Sequence, residues 1–289
     1  MQATGTYLSP PRGGMLRRRL AWATVAALLC ALFAAVVAEM ARAWMNETGA
    51  SHGLLIPPLV ALIVWMQRDQ ILAAPVSGDS RGLWLLLAGA ALYILGRLAA
   101  EFFVTRMSLI VFIAALIWTF WGTARLSTLK FAILLLATMI PIPQLVYKAV
   151  ATPLQLLAST VATDLAQAAG VTVFQDGNII HLAGQTLGVE EACSGLHSVS
   201  ALAVGALLLG FLQLHSGWLR ALLFFCSFPI AVFTNVLRVT GTAVLADRWE
   251  EIAMGFYHYF SGWLVFVAAV GLLWGVTGLF QRFESRRAS

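Results

Sequence analysis

Long apolar runs, interrupted at short intervals by charged or proline-bearing stretches, set the pattern of this chain. About eight of them read as membrane spans, at roughly 20–41, 54–66, 82–98, 106–122, 129–147, 196–214, 219–237 and 259–280. Each is near or below the ~20 apolar residues that a helix needs to cross a hydrocarbon core. The second run is short and carries Pro57-Pro58 near its start, so it reads as broken or re-entrant. The longest stretch outside the runs is 148–195. Its first part, 152–169, has apolar residues at helical spacing with Pro153 near the start, the pattern of an amphipathic helix lying at an interface. Its second part reads as strands at 171–175, 178–182 and 186–189, with Asp176-Gly177 as a hairpin turn. The fold expected is an all-α membrane protein of about eight transmembrane helices. It forms one domain over 1–289, with a small outer-face cap (amphipathic helix plus β-hairpin) at 148–195 and a basic tail at 283–289.

Composition sharpens this reading. The chain is 60% hydrophobic and 11% charged, whereas a soluble domain carries about 25% charged residues. A formal net charge of +5 would suggest nucleic acid in a soluble protein. Here the basic residues flank apolar runs, so they report topology and no nucleic-acid partner is expected. Arg12, Arg17, Arg18 and Arg19 precede a run that continues to about Ala38, too long for a signal peptide, and an uncleaved first span is expected. With the N-terminus inside, 12 of the 18 Lys and Arg fall on the inner side with three acids. The inner side is then +9 and the outer −4, which favours N-in, C-in topology with the 148–195 cap outside.

Three cysteines are present. Cys30 and Cys226 lie inside apolar runs and read as inert packing residues. Cys193 is different, because it sits in Glu190-Glu191-Ala192-Cys193-Ser194-Gly195-Leu196-His197, just before the sixth run. A thiol at the start of a helix can be held as thiolate by the helix dipole and nearby cations. Two more polar sites fall at outer ends of spans: Asn235-Val236-Leu237-Arg238 at the end of the seventh, and His258 at the start of the eighth. Each has a plain structural reading, as a small buried thiol, a snorkelling arginine and an interfacial imidazole between Tyr257 and Tyr259. Alternating topology puts all three at one depth, where their chemistry is complementary. A thiolate attacks a carbonyl, an imidazole handles the proton of the leaving amine, and a guanidinium stabilises the oxyanion.

Other polar residues compete or assist. His197 is one turn after Cys193 and rivals His258 as the base. Ser194 would serve as a serine nucleophile. Asn235 lies one turn before Arg238 and can orient it. Glu190 and Glu191 can pair with Arg238 or remain solvated. Glu39, Arg42, Arg97 and Arg106 read as interfacial ions. No CxxC or HExxH pattern occurs, so neither metal nor cofactor is expected.

The chain resembles the exosortase/archaeosortase family of multi-pass membrane sorting enzymes. The resemblance rests on Ser51-His52-Gly53-Leu54-Leu55-Ile56-Pro57, Met139-Ile140-Pro141-Ile142-Pro143, Val189-Glu190-Glu191-Ala192-Cys193-Ser194-Gly195-Leu196, Asn235-Val236-Leu237-Arg238 and His258, in that order. It implies a cysteine protease or transpeptidase with Cys193 as nucleophile, Arg238 as oxyanion stabiliser and His258 as general acid/base. It further implies a membrane-anchored substrate protein bearing a C-terminal sorting signal: a short motif (Pro-Glu-Pro in the bacterial version), a transmembrane helix and a basic tail. The new carboxyl end would pass to an acceptor. The implied setting is the bacterial inner membrane, with the site on the periplasmic side and a link to exopolysaccharide.

Two alternatives stand beside this expectation. One is an intramembrane serine protease using Ser194 with His258 or His197. The other is a transport or polysaccharide-export component depending on Arg97, Glu101 or Arg106. Against the latter, the chain lacks the paired broken helices of inverted-repeat transporters.

Overall fold

A computed structural model describes residues 12–184, 186–188, 196–249 and 256–288. The elements are α1 (Arg12–Asn46), a 3-10 segment (Thr48–Leu55), α2 (Ile56–Met66), α3 (Arg68–Ala73), α4 (Arg81–Leu98), α5 (Phe102–Ala137), α6 (Gln144–Ala168), strands β1 (Val173–Asp176), β2 (Ile179–Leu182) and β3 (Thr186–Gly188), then α7 (Leu196–Gln213), α8 (Gly217–Arg248) and α9 (Phe256–Ala288). Among the described residues, seven helices are long and apolar enough to cross a membrane, and Ser198–Gln213 is a shorter apolar helix. Large apolar side chains point outward along them, including Leu98 at 80% and Leu145 at 83% exposure. Such a surface is costly in water and suits a bilayer. The protein is therefore an all-α membrane protein, as its apolar runs predict. Cys30, expected to pack inside, faces outward from α1, because that stretch of the helix has few protein neighbours.

The short second run is broken, as expected. A 3-10 segment leads into α2, and Pro57 and Pro58 occupy the first turn of α2, where a missing N–H costs no helical hydrogen bond. The fourth and fifth runs join in α5, which breaks at Gly122 (φ 83°, ψ −179°). A Cβ at that position would strike the Ser77 carbonyl, and the positive φ alone favours glycine. The 74–81 loop seats on this break: Asp79 N–H donates to the Thr119 carbonyl (3.2 Å), and Trp118 Nε1 donates to the Asp79 carboxylate (3.1 Å). Both halves of α5 reach one core, where Ile110, Ala132 and Leu135 join Met40, Trp44, Ile56 and Ile63.

Helices α4 and α5 pack through a glycine every seventh residue. A Cβ at Gly96 would lie 2.7 Å from the Thr105 nitrogen, and one at Gly89 would lie 3.2 Å from the Phe112 ring. Small residues at that spacing let two helix backbones approach closely. Gly205 on α7 makes no such seam, since a Cβ there would have no neighbour nearer than 4.0 Å.

The last three helices alternate in direction. Where α7 turns into α8, Arg220 Nε and Nη2 donate to the Leu214 carbonyl (2.9 and 2.7 Å). The Glu284 carboxylate near the end of α9 accepts from the main-chain N–H groups of His215 and Ser216 at that same turn. The opposite end of the bundle therefore gathers the start of α7, the far part of α8 and the start of α9. At 32 residues, α8 is about 48 Å long and outlasts a ~30 Å hydrocarbon core.

The fifth run stops at Ala137 instead of 147, because Pro141 and Pro143 separate it from α6. The helix expected to lie at the interface begins at Gln144 instead of 152, so Pro153 falls inside it, and at 25 residues it is long and apolar enough to cross a membrane. Its buried face is small and partly polar (Ala151, Gln155, Ala158, Ser159, Ala162, Thr163, Ala166), while Leu145, Val150 and Leu156 face outward. Along α8 the order of contacts is parallel. Ala151 shares a core with Leu223 and Ala231, whereas Ala162 and Ala166 share one with Val239 and Ala243.

The strands form one antiparallel sheet in the order β1-β2-β3, with Val173 opposite Leu182 and Ile180 opposite Leu187. Asp176 pairs with Ile179, so the turn residues are Gly177-Asn178, one position later than the sequence suggests. Gly177 has φ 60°, as the first turn position of a II′ hairpin requires, and Asn178 is not among the described residues with positive φ. Val173, Ile180 and Leu187 form the inner face and pack on Ala162 and Ala166 of α6 and on Val239 and Ala243 of α8. The sheet thus sits over the bundle end where α7 and α9 begin.

Candidate active site

That end of the bundle carries Asn235 and Arg238 on α8, and the first turns of α7 and α9, where His197 and His258 stand in the chain. Cys193, Ser194, Glu190 and Glu191 lie outside the described residues. They immediately precede α7, which begins at Leu196. His197 stands in the first turn of α7, and His258 is the third residue of α9. Asn235 and Arg238 are on α8; Asn235 is buried and Arg238 half-buried.

Geometry links Arg238 to the start of α9. An added Cβ at Gly262 would lie 3.6 Å from Arg238 Cζ, 3.7 Å from Nη2 and 3.9 Å from Nη1. The guanidinium therefore rests against a helix face that lacks a side chain at that point. Gly262 is one turn after His258 along α9. Among the described residues the guanidinium makes neither a hydrogen bond nor an ion pair. Thr242 Oγ1 donates to the Arg238 main-chain carbonyl (2.9 Å), and Ser261 beside Gly262 is buried. Sequence reading missed Gly262. Its only signal was a small residue one turn after a candidate histidine.

Two other segments singled out in the sequence meet elsewhere. Trp44 Nε1 donates to the Met139 carbonyl (2.8 Å), and His52 Nε2 lies 3.2 Å from the Thr138 carbonyl. Gly53 permits this approach, since a Cβ there would meet the Trp44 indole and lie 2.9 Å from the Met139 oxygen. The Ser51-His52-Gly53 segment and the 139–143 proline loop are therefore one unit. It fixes the point from which α6 departs.

The charged residues of the transport alternative lie near the junction of α4 and α5. The Glu101 side chain caps α5 by accepting from Phe103 N–H (3.1 Å), and Arg97 is exposed at the end of α4. Arg106 lies over the Phe102 ring (5.7 Å) and lines an open cleft of about 270 Å³ with Glu39, Arg42, Asn46 and Glu47. No group of three or more possible metal ligands occurs among the described residues.

The fold defines a multi-pass helical membrane protein with a small sheet packed on α6 and α8. The sequence pattern of transmembrane exosortases matches residues 44–275, and the chain belongs to that family. Comparison with curated proteins and with solved structures gave no match. Membership supports a membrane transpeptidase or protein-sorting function.

Proposed function

We propose that this protein is a cysteine transpeptidase of the bacterial inner membrane. It cleaves the C-terminal sorting signal of membrane-anchored exported proteins and passes the new carboxyl end to an acceptor. The observation that carries the reading is the Arg238 guanidinium against Gly262, one turn from His258 and without a partner among the described residues. The thiolate of Cys193 adds to the scissile carbonyl, and the oxyanion is held by Arg238. Collapse of the adduct breaks the C–N bond, His258 gives its proton to the leaving amine, and a thioester to Cys193 remains. A nucleophile from the acceptor, or water, then attacks the thioester, loses its proton to His258 and releases the thiolate. Arg238 suits its role because it stays cationic at every accessible pH.

The charge asymmetry favours the site on the periplasmic side, where an exported substrate held by its own helix presents its motif. A direct test co-expresses wild type, Cys193→Ala or Ser194→Ala with a tagged reporter ending in Pro-Glu-Pro, an apolar helix and a basic tail. The expectation is processing by wild type and Ser194→Ala but not by Cys193→Ala. Loss in Ser194→Ala with retention in Cys193→Ala would transfer the nucleophile to the serine.

A further inference from the structure

One polar residue on α6 has no work in the mechanism above. Gln155 on α6 is buried to 8% exposure, and its side-chain amide has no hydrogen-bond partner among the described residues. Its own main-chain carbonyl accepts from Ser159 Oγ (2.9 Å), which leaves the amide idle. Two turns further along the same buried face, Thr163 is 5% exposed, and its Oγ1 has no partner either. The Gln155 amide atoms, unlike Thr163 Oγ1, are not wholly enclosed, so an otherwise buried side chain keeps an amide open to a ligand.

The register of α6 on α8 locates the amide. The helices run in parallel, with Ala151 in the core that holds Ala231 and with Ala162 and Ala166 in the core that holds Val239 and Ala243. Interpolating between these shared cores sets Gln155 at about the level of the turn of α8 that carries Asn235 and Arg238. Gln155 shares its helix face with Ala151, Ala158 and Ala162, and that face is the one packed toward α8. A carboxamide carries donors and an acceptor, the complement of a peptide group. Beside an arginine that stabilises a peptide-derived oxyanion, that complement suits the substrate backbone next to the scissile bond.

We infer that Gln155 is a substrate-binding residue, whose amide pairs with a peptide group of the sorting motif while Arg238 engages the scissile carbonyl. The inference rests on the transpeptidase reading above and adds to it a contact from the cap helix. It assigns the start of the 148–195 segment a part in holding the substrate, in addition to its packing.

Gln155→Met keeps the length and packing of the side chain and removes both hydrogen-bonding groups. Full-length wild type and Gln155→Met are compared in detergent on the Pro-Glu-Pro reporter, reading KM, kcat and the thermal midpoint. The expected result is a KM raised about tenfold, the loss of one good hydrogen bond, with a thermal midpoint equal to or above that of wild type. An unchanged KM overturns the inference. So does a thermal midpoint that falls together with activity, since that would make Gln155 a packing residue. Reporter affinity is measured again in a Cys193→Ala background, with and without Gln155→Met. Cleavage by Cys193→Ala would remove the cysteine reading alone, while equal affinities with and without Gln155→Met would remove the Gln155 inference alone.

Discussion

Gly262 gives a graded test of the contact on which the site depends. A Cβ there would sit 3.6 Å from Arg238 Cζ, an ordinary van der Waals distance. Gly262→Ala should therefore leave the guanidinium in place. Within a helix it should also stabilise the protein by about 0.5–1 kcal/mol, because glycine loses more backbone entropy on folding. Gly262→Leu differs, since its branch atoms extend beyond Cβ into the space the guanidinium occupies. Displacing a catalytic group by ~1 Å costs about 10²-fold in rate, roughly 2.7 kcal/mol at ~1.36 kcal/mol per tenfold. Reporter cleavage by purified variants, beside thermal unfolding in detergent, separates the two effects. The expected result is near-wild-type cleavage with a raised midpoint for Gly262→Ala. For Gly262→Leu, cleavage should fall about 10²-fold with the protein still folded. Full activity in Gly262→Leu would show that the guanidinium's position against α9 does not matter. Equal loss in both variants would point to the helix backbone instead of Arg238.

Three further outcomes are expected. Arg238→Lys keeps the charge but loses the planar fork, and kcat should fall about 10²–10³-fold, as for removal of an oxyanion donor; single-turnover cleavage measures this, and unchanged kcat excludes the role. Gly122→Ala should lower stability by more than ~1 kcal/mol, because a left-handed backbone and the Ser77 carbonyl both oppose a side chain there; a thermal midpoint at the wild-type value in detergent would show that the break in α5 is not needed. If thiolate and imidazolium work as a pair, kcat/KM should follow a bell in pH, falling on the acid side as the thiol protonates and on the basic side as the imidazolium loses its proton; a flat profile through both titrations would exclude that pair.

Apolar periodicity made the membrane class and most helix positions legible in the sequence. Composition alone separated this chain from soluble domains, and the runs at 82–98 and 196–214 agree closely with α4 and α7. Where local signals conflicted, tertiary contacts decided. The proline loop at 139–143 divides an apolar run that hydropathy reads as continuous, and its start is held by Trp44 on the Met139 carbonyl and His52 at the Thr138 carbonyl, residues 95 and 86 positions away. Joining the fourth and fifth runs across Gly122 depends on the 74–81 loop seated at the break, a partner that no local window contains. In α6, the outward face is apolar and the buried face carries Gln155, Ser159 and Thr163. A rule that buries apolar residues reads such a helix inside out. Asn235 and Arg238 were legible as charge and amide at the end of a span, and the structure supplies the link from Arg238 to α9 through a glycine. Cys193 stood out through its neighbours in sequence, and its assignment as nucleophile still rests on that motif.

The most direct test of the account is chemical identification of the bond formed at Cys193. The reporter is incubated with purified wild type, the reaction is stopped in acid, and the enzyme is digested and examined by mass spectrometry. The account predicts a reporter fragment joined through its new carboxyl end to Cys193 as a thioester, labile to hydroxylamine and missing in Cys193→Ala. Efficient cleavage by Cys193→Ala, or an adduct mapped to Ser194, would contradict it.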